Sequence, residues 1–103
     1  MQLLGVVNRL WEPLVRGEKR STIRFGEAEI RPGLLRYVND ADPSLTAVVN
    51  VTRVSRMKLA DAAAFLGRTA DWPPQVMLEG MREHYPDIVL DDTVQVIEHS
   101  VPL

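Results

Sequence analysis

The chain of 103 residues contains no cysteine. That removes disulfides, a thiolate nucleophile and any cysteine-ligated metal site. Histidine is nearly as scarce. His84 and His99 are the only two; they fall in different segments, and neither stands at ligand-like spacing from carboxylates. No metal site is expected, and both histidines read as surface or helix-end residues. A glycine-rich phosphate loop is missing, as is any serine–histidine arrangement that sequence alone can reveal. Hydrophobic runs are short. None approaches the length of a membrane span, and Leu3 to Val7 is too brief, and lacks the positive flank, for a signal peptide. A cytoplasmic protein is expected. Without internal repeats, low-complexity tracts or linkers, residues 1–103 read as a single domain, with room for one core but not two.

What remains is an ordinary globular composition, 46% hydrophobic and 25% charged. The net charge of −2 hides an asymmetry. Up to Lys58 there are ten Lys/Arg against six Asp/Glu; from Leu59 onward there are two against eight. The N-terminal half can therefore supply a basic patch for phosphate or another anion. The acidic overall balance argues against tight, nonspecific nucleic-acid binding, which needs many phosphate contacts.

Local patterning suggests an order of elements. From Val6 to Val15, Val7, Leu10, Trp11, Leu14 and Val15 fall at helical spacing. Pro13 fits the first turn of a short helix ending near Gly17, and Leu3 to Val7 can instead form a short strand. Glu27 to Pro32 reads as a loop. A strand from Gly33 to Val38 follows, then a turn at Asn39-Asp40-Ala41-Asp42-Pro43. Thr46 to Met57 fits a long strand whose alternation changes phase near Thr52 to Val54, as a bulge or bend would produce. Leu59, Ala62, Ala63 and Leu66 form a helix face stopped by Gly67. Asp71-Trp72-Pro73-Pro74 leads into a second helix with Met77, Leu78, Met81 and Tyr85 on its buried stripe and Pro86 at its end. Asp71 is a reasonable N-cap for it. A last strand runs from Thr93 to His99. These elements imply an α+β domain with a small, strongly bent sheet or barrel and a few helices packed outside it.

The densest polar chemistry lies in Gly17-Glu18-Lys19-Arg20-Ser21-Thr22-Ile23-Arg24-Phe25. Strand alternation puts Ile23 and Phe25 on a core-facing side and Arg20, Thr22 and Arg24 on the other. Gly17 supplies the turn, from which Lys19 can fold back toward Thr22. Threonine becomes a nucleophile only when a base takes its proton, and a neutral lysine can be that base. A lysine that stays charged binds an anion instead. The two arginines suit a phosphate or a developing oxyanion.

The spacing Gly17-x-Lys19-x-x-Thr22-x-Arg24 resembles the signature of the ASCH (activating signal cointegrator homology) domain, a PUA-like family, and the likeness in element order runs along most of the chain. It implies a small, strongly bent PUA-like β-barrel with flanking helices. It also implies RNA or a nucleoside- or nucleotide-like ligand as partner, bound through Arg20, Ser21 and Arg24 with Trp72 or Tyr85 available for stacking. Neither cofactor, metal nor membrane enters. One small bacterial branch of similar length hydrolyses N4-acetylcytidine, and its lysine and threonine correspond to Lys19 and Thr22. The glutamate of that branch falls, by gapless count from Tyr85-Pro86, at Ala70, with Asp71 the neighbouring acid. An amidohydrolase using Lys19, Thr22 and Asp71 is thus the alternative, and a non-catalytic interaction module a third.

Overall fold

A computed structural model describes all residues, 1–103. Nine elements follow in order: β1 (Gln2–Val6), a 3-10 turn (Asn8–Leu10), α1 (Trp11–Val15), β2 (Ser21–Arg24), β3 (Gly33–Asn39), β4 (Thr46–Lys58), α2 (Leu59–Phe65), α3 (Pro74–Arg82) and β5 (Thr93–His99). The strands form one sheet in the order β1-β3-β4-β5-β2. β1 pairs in parallel with β3, placing Leu4 opposite Tyr37. β3 pairs antiparallel with β4, placing Leu35 opposite Val49. The helix expected over 6–15 is shorter than its apolar spacing suggests. Val6 ends β1, Asn8–Leu10 form the 3-10 turn, and Pro13 sits in the first turn of α1, where its missing N–H forgoes no helix bond. No helix is long and apolar enough to cross a membrane.

The chain divides into two compact units. The first comprises 1–22, 28–54 and 97–103. Its core is Leu4, Val6, Leu14, Ile30, Leu35, Tyr37, Val49, Val51 and Ile97. Strand alternation delivers these side chains: Leu35 and Tyr37 are buried while Leu34 and Arg36 are exposed. The turn after β3 is held by Asn39, whose Oδ1 accepts from the N–H groups of Ala41 and Asp42 at 2.8 and 3.2 Å. Such local bonding makes asparagine a strong turn residue.

The second unit comprises 23–27 and 55–96. It has its own core of Leu59, Ala62, Ala63, Met77, Leu78, Ile88, Val94 and Val96, with Ile23, Phe25, Met57, Trp72 and Tyr85 packed against it. Two hydrophobic clusters thus replace the one core expected from chain length. Along β4 the burial pattern changes phase at Thr52 and Arg53, which are both exposed. Val49, Val51 and Val54 serve the first core and Met57 the second. α2 ends at Gly67, φ +69°, with Arg68 N–H donating to Ala63 O at 2.8 Å and Gly67 N–H to Ala64 O at 3.1 Å. This pair of bonds closes a helix around a left-handed glycine.

α3 departs from expectation at both ends. Its N-cap is Pro73, with no side-chain cap bond, so Asp71 is not the cap. The prolines displace the helix start, and Asp71 lies in a turn where its own N–H donates to Arg68 O at 3.1 Å. At the other end the helix stops at Arg82, and single-turn bonds carry the chain to Tyr85, whose N–H donates to Met81 O at 2.9 Å. Charge also distributes differently from the simple halves. The first unit holds seven Lys/Arg against six Asp/Glu and the second five against eight, so the N-terminal basic excess does not become a property of one unit.

Candidate functional site

The motif begins where α1 ends. Gly17 takes φ +78°, its N–H donates to Leu14 O at 3.0 Å, and those of Glu18 and Lys19 donate to Pro13 O at 2.9 and 3.1 Å. These bonds satisfy helix-end carbonyls and fix the direction in which the chain leaves toward β2. Lys19 is half-buried, and its Nζ donates to Ser21 O at 2.6 Å. Ser21 is half-buried and Arg20 exposed. Thr22 is only 7% exposed.

Burial along β2 therefore differs from the alternation expected. Thr22 is the buried residue, while Ile23, Arg24 and Phe25 are all half-buried. β2 ends the sheet order and has a strand on one side only. Large side chains at such an edge retain exposure on both faces, whereas the small threonine is covered. Ile23 and Phe25 still pack against the second core. The Arg24 side chain does not reach into open solvent, being 15% exposed.

Behind the start of the motif, in the first unit, His99 is buried rather than at the surface. Its backbone N–H donates to Arg20 O at 3.0 Å. Ring Nδ1 lies 2.7 Å from Ser100 O, and Nε2 lies 2.9 Å from the Tyr37 hydroxyl. A carbonyl only accepts, so Nδ1 carries the proton, and the neutral ring accepts at Nε2 from Tyr37. Burial holds the His99 pKa below its usual 6.5, opposed by the Ser100 bond and aided by the charges of Lys19 and Arg20. The histidine is an internal support for the motif strand. His84 is exposed, as expected.

In the second unit Arg24 belongs to a cluster. Its Nη1 lies 3.7 Å from Glu27 Oε2. The same oxygen accepts a short hydrogen bond from the Tyr85 hydroxyl. Phe25 meets the Tyr85 ring edge-on, with centroids 5.8 Å apart. Burial, then the bond to Glu27, push the Tyr85 phenol up to about 12, so it remains a donor throughout the neutral range. Glu27 was not among the residues expected to act. The signal that could have found it is an acid three residues beyond Arg24, across the Gly26 turn, at a spacing that brings opposite charges together.

Asp71 and Trp72 form a different group. Asp71 Oδ2 accepts from Arg68 Nε at 2.8 Å, and the Arg68 guanidinium lies 4.7 Å from the Trp72 ring centroid. One face of Trp72 is thus covered by a cation, an attractive arrangement for an indole.

With the elements and their order in place, the chain can be compared with solved structures. It superposes on a crystal structure of an ASCH domain from Lactobacillus crispatus with a TM-score of 0.65 and 18% identity, covering 99% of this chain and 81% of that one. The fold is that of an ASCH domain. The α+β class expected from the order of elements is therefore the class observed. No family model and no curated protein matches the chain. In the ASCH fold seen here, Lys19 through Thr22 fall in the first unit, and Arg24, Asp71, Trp72 and Tyr85 in the second. Arg24 and Tyr85 are brought together around Glu27, while Asp71 is held by Arg68.

Proposed function

We propose that this chain binds RNA or a nucleotide-like ligand, and that Arg24 is its principal contact. The observation that carries this reading is a half-buried guanidinium set beside an edge-to-face pair of aromatic rings, Phe25 and Tyr85. Arginine with neighbouring aromatic faces is the chemistry by which unpaired bases and their phosphates are recognised. The ASCH fold supports a role of this kind.

Titration of short single-stranded RNAs and nucleotides tests the proposal. Arg24→Ala weakens binding by about 1–3 kcal/mol, the range for a charge-assisted contact. Raising salt weakens it only modestly, because few phosphates are engaged. Equal affinity of wild type and variant refutes Arg24 as the contact. Absence of binding to every nucleic-acid ligand leaves the chain as an interaction module. The alternative, an amidohydrolase using Thr22, Lys19 and Asp71, is tested by incubating the chain with N4-acetylcytidine and following cytidine release, which Thr22→Ala abolishes if Thr22 is the nucleophile.

A further inference from the structure

Arg24 does not act as a lone cation. Glu27 Oε2 stands 3.7 Å from Arg24 Nη1 and also accepts the Tyr85 hydroxyl. Both contacts fall on the same oxygen. The Glu27 side chain is 35% exposed. The result is a partly exposed carboxylate next to a guanidinium, anchored through Oε2.

This pairing changes what the arginine can hold. A phosphate placed on Arg24 brings its negative charge to within a few ångströms of the carboxylate. At such distances like-charge repulsion is comparable in size to the attraction it opposes. A neutral nucleobase meets no such penalty. Base edges present a ring nitrogen or carbonyl oxygen beside an imino or amino N–H. Arginine N–H groups donate to the former and a carboxylate accepts from the latter.

We propose that Arg24 and Glu27 together read the hydrogen-bonding edge of a neutral nucleobase, and that Tyr85 is a positioning residue that anchors Glu27 for this contact. The inference rests on the reading of the chain as an RNA- or nucleotide-binding protein, and assigns this cluster to the base rather than to phosphate.

The test uses the whole chain, the four free ribonucleosides, ribose 5-phosphate and a short single-stranded RNA, with calorimetric or fluorescence titration. At least one nucleoside binds, and ribose 5-phosphate does not displace it. Glu27→Gln weakens nucleoside and RNA binding about fivefold, the difference between a charged and a neutral acceptor. Tyr85→Phe weakens it by a smaller factor at unchanged circular dichroism, and loses that effect in the Glu27→Gln background because it acts through the carboxylate. A phosphate site predicts the opposite sign. Glu27→Gln would then tighten binding of both RNA and ribose 5-phosphate, and that result overturns the inference, as does RNA binding indifferent to Glu27. Failure of the wild-type chain to bind any of these ligands removes the functional reading itself, and this inference with it.

Discussion

Replacing Gly17 by alanine tests how the motif is launched from α1. At φ +78° an L-residue places its Cβ against backbone, at about 1–2 kcal/mol. The added Cβ would also lie 2.8 Å from Val101 Cγ1 and 3.4 Å from Val101 Cβ, too close for the first contact to persist. Val101 is 46% exposed, so it can turn aside, at about 0.5–1.5 kcal/mol for an off-rotamer side chain. Together the two effects give about 1.5–3.5 kcal/mol. Gly67 provides the control. It has φ +69° with nothing within 4 Å of a built Cβ, so Gly67→Ala carries only the backbone share, about 1–2 kcal/mol. Urea unfolding measures both, and each kcal/mol shifts Tm by about 4–8 °C in a domain of this size. Adding Val101→Ala to Gly17→Ala recovers the steric share and leaves the backbone share. The reasoning is refuted if Gly17→Ala is no more destabilising than Gly67→Ala, or if trimming Val101 restores nothing.

Three further outcomes follow from the same geometry. The Tyr85 phenol ionises at about 12 rather than 10.0; the unfolded chain ionises first, so its contribution to stability is intact below pH 10 and is lost as pH rises toward 12, and Glu27→Gln lowers the ultraviolet titration midpoint. His99 has a depressed pKa, so its contribution is present above the unfolded value of about 6.5 and declines as pH falls through the folded pKa, which a proton NMR titration locates; Tyr37→Phe strips the buried Nε2 of its donor and destabilises by about 1–3 kcal/mol. Asp71→Asn changes stability by less than about 1 kcal/mol in thermal unfolding, because its pair with Arg68 is exposed at 46% and 62% and such surface pairs contribute little.

Local chemistry alone determined much of this protein. Thr93 to His99 is read from its apolar residues with the same bounds that the strand has, and Gly17 and Gly67 mark helix ends because the left-handed region admits them most readily. The loop at Asn39 follows from side chains that bond their own backbone. Periodicity also named Leu14, Leu59, Ala62, Ala63, Met77 and Leu78 of the cores, since a face pattern is written in neighbouring positions. Partner choice is not. Tyr37 and His99 are 62 positions apart, and Tyr85 and Glu27 are 58 apart; no local pattern pairs them. Asp71 read first as a cap for α3, and only the prolines that move the helix start and the turn that brings it to Arg68 showed that it is not the cap. Glu27 passed as a loop acid until the chain beyond α3 returned Tyr85 to it. Alternation tells which side of a strand a residue faces, but the elements that come to rest on that side are chosen by long-range packing, and it is those elements that turned a loop glutamate into part of the candidate site and a C-terminal histidine into a buried support.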